Sequence, residues 1–181
     1  MKVAIFLAEG FEEIEAISII DVLRRGEANV DTISISNSQY VEGGHSITIK
    51  ADKLFTETQF DDYDMLVLPG GMPGTTNLGK HKQLCALLIE FNKKGKTLGA
   101  ICAAPSVLGE LGILNNKEST CYPGYESQLI GCKVKNMDIV TSNNVITGKG
   151  AGVAISFALE LLKTSKDSSY IEALRKKMIM S

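Results

Sequence analysis

Apolar residues fall in short runs separated by helical periodicities. Val3–Ala8 (VAIFLA) is an unbroken apolar run of strand length, and Met65–Leu68 and Thr97–Ile101 are of the same kind. Val30–Ser36 and Ser46–Ala51 alternate with period two, as half-buried strands do, and Val134, Ile139–Thr141 and Val145–Thr147 read as further short strands. Between them lie helical patterns. Glu12–Arg25 carries Ile14, Ile17, Ile20/Asp21 and Arg24 at helical spacing and stops at Gly26. Gln83–Asn92 has Leu84, Leu87, Leu88 and Phe91 on one face. Ala104–Leu111 places Pro105 in a first turn, where a missing N–H costs nothing. Val153–Leu162 and Tyr170–Met178 close the series. Strands that are apolar throughout, alternating with helices, predict a mostly parallel sheet covered on both faces: an α/β doubly wound sandwich, expected as one domain over 1–181. In such sheets sites form beyond the carboxyl ends of strands, so the loops after Ala8, Leu68, Ile101 and Thr147 are the places to search.

Composition narrows the function. The 181 residues carry 19 basic and 21 acidic side chains, a net charge of −2, with no long block of either sign. An electrostatic footprint for nucleic acid or an anionic membrane surface is therefore absent. No apolar run reaches membrane-spanning length. The first eight residues are too short for a signal peptide and lead into an acidic stretch, so a cytoplasmic location is expected. The four cysteines, Cys85, Cys102, Cys121 and Cys132, show no C-x-x-C spacing, and with only His45 and His81 beside them no zinc pattern forms. Gly148–Gly152 lacks the K-[ST] ending of a phosphate loop, and no G-x-G-x-x-G follows the first strand. Neither a metal nor a cofactor is expected.

Cys102 has the most informative setting. A buried strand ends at it and a helix starts just beyond it, with the small residues Gly99, Ala100, Ala103 and Ala104 permitting a tight turn. This is the pattern of a nucleophile elbow with cysteine in the serine position. It projects the sulfur from the sheet edge toward a helix N-terminus, where free N–H groups favour a thiolate. A buried structural cysteine is the alternative. Glu12, Glu13 and Glu15 open the first helix, where acidic residues suit its dipole. Glu15 also interrupts a second apolar stripe of Phe11, Ile19 and Val22, so burial there would raise its pKa. From spacing alone a solvated helix face remains the ordinary account of it. Leu68-Pro69-Gly70-Gly71 ends another buried strand, and its glycines can turn backbone N–H groups outward, as an oxyanion site shared with the Ala103 N–H requires.

Three segments in order, Ala8-Glu9-Gly10-Phe11-Glu12-Glu13-Ile14-Glu15, Leu68-Pro69-Gly70-Gly71 and Ala100-Ile101-Cys102-Ala103-Ala104-Pro105, resemble the ThiJ/PfpI superfamily in its DJ-one type branch, with a class I glutamine amidotransferase-like fold. The likeness runs from Val3 to about Leu162. It implies a flavodoxin-like sandwich that usually dimerises, with Cys102 as the reactive cysteine, Glu15 as the protonated carboxyl that hydrogen-bonds its sulfur, and Gly71 and Ala103 as N–H donors. Gly70, Tyr122, Cys121 and His45 are implied nearby. Two departures stand out. Where the branch often has His-Pro, this chain has Tyr122-Pro123, and where the proteolytic branch has histidine directly after its cysteine, this chain has Ala103. His45 lies near a position that helps relatives bind anions, and His81 lies in a polar turn; surface placement is expected of both.

The resemblance implies glyoxalase or protein-deglycase chemistry on reactive carbonyls of the methylglyoxal type, with weak activity for want of the imidazole. A phenol, with pKa about 10, is a poor base at neutral pH but a usable hydrogen-bond donor. An oxidative-stress sensor working through Cys102 sulfinate is the alternative, with Cys121 as a candidate resolving thiol. A cysteine peptidase or amidase ranks third, because neither histidine is placed to protonate a leaving amine. The expected partners are a small carbonyl substrate or oxidant and a second copy of the chain.

Overall fold

The computed structural model describes residues 1–180. Its strands are β1 (Lys2–Leu7), β2 (Asn29–Ser34), β3 (Tyr40–Glu42), β4 (Thr48–Lys50), β5 (Lys53–Leu54), β6 (Met65–Leu68), β7 (Thr97–Ile101), β8 (Glu118–Ser119), β9 (Lys133–Val134), β10 (Ile139–Ser142) and β11 (Val145–Gly148). Its helices are α1 (Glu13–Arg25), α2 (Gly74–Lys80), α3 (Lys82–Lys93), α4 (Pro105–Glu110), α5 (Ala154–Leu162) and α6 (Ser168–Lys177).

Seven strands form one sheet in the order β10-β11-β7-β6-β1-β2-β5, parallel throughout except where β10 pairs antiparallel with β11. The period-two geometry of a strand sends alternate side chains to opposite layers. Ala4, Phe6, Leu66, Leu68, Leu98 and Ala100 pack beneath α2, α3 and α4. Val3, Ile5, Met65, Val67, Ile101 and Ile146 pack against α1, α5 and α6. The doubly wound α/β sandwich is thus the observed fold, and the apolar strands are apolar because both faces are covered.

Some details differ from the sequence-based expectation. Ser46–Ala51 does not join the main sheet; β4 pairs antiparallel with β3 as a separate ribbon. β9 pairs with β8 in another two-stranded piece. α2 has no counterpart among the predicted helices, since GTTNLGK offers one leucine and no repeating apolar stripe. On α1 the stripe of Ile14 and Ile17 faces outward, at 60% and 43% exposure, while Glu13, Glu15, Ala16, Ile19, Val22 and Leu23 are buried. The second apolar stripe, not the first, is the one that meets the sheet and α5. His81 is likewise not a solvated turn residue: its Nδ1 caps α3 by accepting the Leu84 N–H at 3.1 Å, and its ring lies 4.6 Å from that of Phe55.

The chain order reverses between β1 and β6, which is where an open parallel sheet leaves a crevice at its carboxyl edge. The loops after β1, β6 and β7 all open there.

Candidate functional site

Cys102 follows β7 directly and has φ 62°, in the left-handed region that side chains rarely occupy. Both sides of the turn are clamped. The Cys102 N–H donates to the Gly148 carbonyl of β11 at 2.9 Å, and the Tyr122 N–H donates to the Cys102 carbonyl at 2.8 Å. The surroundings over-determine the elbow, so the sulfur is held in one place and half-buried.

Gly70 and Gly71 leave β6 beside it. A side chain at Gly70 would put its Cβ 2.6 Å from Cys102 Cβ and 2.8 Å from Glu15 Oε2, so only glycine lets those two residues approach across it. Gly71 has φ +92°, and a Cβ there would lie 2.3 Å from the Glu12 nitrogen. The Gly71 and Ala103 N–H groups lie near enough to the Cys102 sulfur to draw its pKa down. Glu15 comes from the first turn of α1, tied down by the Glu12 N–H donating to the Gly70 carbonyl at 2.9 Å. Its side chain is wholly buried. Oε2 accepts the Gly70 N–H at 2.8 Å. Oε1 is buried without a hydrogen-bond partner, and the Cys102 thiol is the side chain that faces this carboxyl.

The electrostatics follow from burial. Desolvation raises the Glu15 carboxyl to about 7, against the opposing pull of the Gly70 N–H and the thiol. Desolvation also pushes the Cys102 thiol up to about 12, helped by the Glu15 charge and hydrogen bond, while the Ala103 and Gly71 N–H groups pull it down. The helix N-terminus expected to favour a free thiolate is therefore outweighed by burial and by an adjacent anion. Above about 7 the two groups keep one proton between them. With that proton on Glu15, three donors surround a thiolate; with it on sulfur, a carboxylate sits beside a thiol.

The remaining candidates surround this pair unequally. The Tyr122 ring packs on Gly150, with Cδ2 3.4 Å from where a Cβ would stand, and the side chain is half exposed. Cys121 is buried, and its thiol is pushed up to about 11 by desolvation, Glu126 and Cys132. Cys132 is the cysteine that acts on its thiol, and Cys121 packs in the layer of α2, α3 and α4 while Cys102 packs in that of α1 and α5. His45 stands on the β3–β4 ribbon. Its backbone N–H and Nδ1 meet the buried Glu13 carboxylate at 2.6 and 2.8 Å. Glu13 holds the imidazole above its ordinary pKa. Among the described residues, Glu12, Glu13 and His45 form the one group whose ligand atoms lie within 4.8 Å of one another, but His45 already occupies both Glu13 oxygens. The burial of Glu13 was missed in the sequence, where it looked like any acidic residue at a helix start; no local signal marks it, because the ribbon residue that covers it, His45, lies 32 residues downstream.

No helix among the described residues is long and apolar enough to cross a membrane. A model of the DJ-1/PfpI family matches residues 1–164. "Protein DJ-1 homolog B" of Arabidopsis thaliana is 34% identical over 163 residues, 90% of this chain, which spans only 37% of that protein. "Glutathione-independent glyoxalase DJR-1.2" of Caenorhabditis elegans is 32% identical over 175 residues, 96% of this chain and 92% of the relative. The solved structure "Toxoplasma gondii DJ-1, oxidized" superposes with a TM-score of 0.95 at 32% identity, covering 99% of this chain and 98% of that one. With the elbow, the glycine turn and the buried glutamate all in the matched region, the chain belongs to the DJ-1/PfpI family, in its DJ-1-type branch.

Proposed function

We propose that this protein is a cysteine-dependent enzyme acting on small reactive carbonyls, of the glyoxalase or protein-deglycase type. The observation that carries the reading is a wholly buried glutamate set beside a half-buried elbow cysteine across Gly70. The glyoxalase relative adds support from outside the chain. The Cys102 sulfur adds to the aldehyde carbon of methylglyoxal, and the Glu15 proton goes to the new oxygen, giving a hemithioacetal. Glu15, now a carboxylate, takes the proton from that carbon and returns it to the neighbouring carbon, while the proton of the new hydroxyl passes to the former ketone oxygen, leaving a lactoyl thioester. Water then cleaves the thioester to lactate and restores the thiol. The Gly71 and Ala103 N–H groups hold the developing oxygen charge. Tyr122 stands where the branch often has histidine and offers a phenol for hydrogen bonding, not a base. The test is lactate formation from methylglyoxal by wild type, Cys102→Ser and Glu15→Gln. Loss in both variants is expected; full activity in Glu15→Gln would remove Glu15 from the chemistry.

The same three donors around the sulfur would also stabilise a sulfinate, so oxidation sensing stands as the second reading. Intact mass after mild peroxide tests it: a gain of two oxygens at Cys102 supports it, and an unchanged mass rejects it. A peptidase reading has the least support, since His45 is bound to Glu13 and His81 caps α3. A homodimer is part of the proposal. Ile14 and Ile17 on α1 and Ile155 on the adjoining α5 are exposed apolar residues that a second copy would cover. Sedimentation at micromolar concentration checks it, with a lone monomer as the contrary result.

A further inference from the structure

A cavity of about 350 Å³ lies beside the elbow, inside the range of roughly 300–1,000 Å³ usual for small-molecule clefts. The two segments that build it are the two that clamp Cys102. Tyr122, whose N–H donates to the Cys102 carbonyl at 2.8 Å, begins one wall, and Pro123 extends it. The other wall, residues 149–153, follows Gly148, whose carbonyl accepts the Cys102 N–H at 2.9 Å. Val153 and Cys102 also pack against the same apolar layer. Backbone hydrogen bonds thus fix the cavity in place next to the reacting residue.

Its walls are apolar. The Tyr122 ring, Pro123, Ala151 and Val153 line it, and Gly150 and Gly152 keep it open. The half-exposed Tyr122 ring lies over Gly150, with Cδ2 3.4 Å from where a Cβ would stand, so a branched side chain there would displace the ring. At Gly152 a Cβ would meet no atom within 4 Å. Lys149 is the charged residue on these walls, and its Nζ is turned aside to Asn136, outside the lining, donating to Oδ1 at 2.7 Å. A charged group entering the cavity would lose water without gaining a free partner. A flat apolar group would meet a ring face, a proline and aliphatic side chains.

We infer that this cavity receives the carbon substituent R of an α-oxoaldehyde R–CO–CHO, and that the site is built for substrates in which R is aromatic or branched aliphatic, larger than the methyl of methylglyoxal. The inference rests on the carbonyl chemistry proposed at Cys102 and Glu15 and adds the wall that determines specificity. Tyr122 serves it through the face of its ring, not through its hydroxyl. With R phenyl the substrate is phenylglyoxal and the product mandelate. One water is consumed and one proton released. The aldehyde carbon is oxidised to a carboxylate and the ketone carbon is reduced to a carbinol, so no outside oxidant or reductant enters.

The experiment measures kcat/KM for phenylglyoxal and for methylglyoxal, following mandelate and lactate. The ratio of the two is compared between proteins, which cancels the intrinsic reactivity of each aldehyde. Gly152→Leu places a side chain in the open space and should lower the ratio at least roughly tenfold, with methylglyoxal turnover within about twofold of wild type. Tyr122→Ser should lower the ratio to a similar degree, whatever it does to methylglyoxal, and Tyr122→Phe, which keeps the ring, should preserve it. An NMR titration with acetophenone, which carries the ring without the aldehyde, should give saturable shifts at the Gly150 and Gly152 amides, and acetone should not. The inference alone is overturned if methylglyoxal is turned over but the ratio stays within about twofold of wild type in both Gly152→Leu and Tyr122→Ser. It is likewise overturned if Tyr122→Phe loses the ratio as Tyr122→Ser does, or if acetophenone gives no saturable shift at those amides. If wild type turns over neither aldehyde, the chemistry at Cys102 falls and the substrate assignment falls with it.

Discussion

Glutamine at position 15 keeps the shape of the side chain and its acceptor for the Gly70 N–H, and removes the titrating proton. The effect on stability can be worked out with its sign. In the unfolded chain the carboxyl titrates near its ordinary 4.5; in the folded protein burial holds it at about 7. Below 4.5 both states are protonated and the residue costs nothing. Between 4.5 and about 7 the unfolded chain releases the proton and the folded one keeps it, so unfolding becomes easier as pH rises. Two and a half pH units at about 1.4 kcal/mol each put the full loss at about 3 kcal/mol by neutral pH. Glu15→Gln escapes this loss. The difference in stability between variant and wild type should therefore climb by about 3 kcal/mol from pH 4.5 to pH 7.5, on top of a constant offset from the amide's own contacts. Urea unfolding of both proteins across that range measures it, and subtracting the two curves cancels the other titrating groups. A stabilised but inactive variant is what a site residue retained for chemistry predicts. A flat difference curve would refute the reasoning, because it would mean that Glu15 titrates in the folded protein as it does in the unfolded chain.

Alkylation of Cys102 by iodoacetamide should stay slow at neutral pH and accelerate only above the ordinary thiol range, and Glu15→Gln, which removes the adjacent charge, should move that rise to lower pH; a rise at the ordinary thiol range in both proteins would contradict the coupling. Gly71→Ala should cost about 2 kcal/mol or more and slow alkylation, since its Cβ meets the Glu12 nitrogen and its φ is +92°; urea unfolding reads the first effect. His81→Ala should lose about 1 kcal/mol of helix capping at neutral pH. Burial holds the His81 imidazole below its ordinary pKa, so its contribution is present above the usual histidine range and fades as pH falls through it; His81→Ala should flatten that pH dependence in unfolding experiments.

The chain announces the parts of this molecule that are local. β1, β6 and β7 are apolar on both faces, which already requires two covering layers, and a cysteine between a buried strand and a proline-led helix already requires a tight elbow. The order of the three motifs carried the family. Gly71 was legible for a similar reason, since two adjacent glycines after a buried strand mark a turn that other residues resist.

What remained open depended on neighbours distant in sequence. Two apolar stripes run along α1, and nothing within the helix says which one faces inward; packing against the sheet and α5 buries the stripe that contains Glu15 and leaves Ile14 and Ile17 outside. Glu13 is buried only because the β3–β4 ribbon folds over it. α2 is helical without a stripe of its own because Gly74 packs against the backbone of Gly10 and Phe11 and Leu78 reaches the core. The thiol pKa was read in the wrong direction for the same reason: helix dipole and N–H donors are visible in a motif, whereas desolvation depends on how many layers of other residues close over the sulfur. Local chemistry and periodicity are written residue by residue, but burial is a property of the assembled layers, and burial is what turns an ordinary glutamate and an ordinary cysteine into a pair sharing one proton.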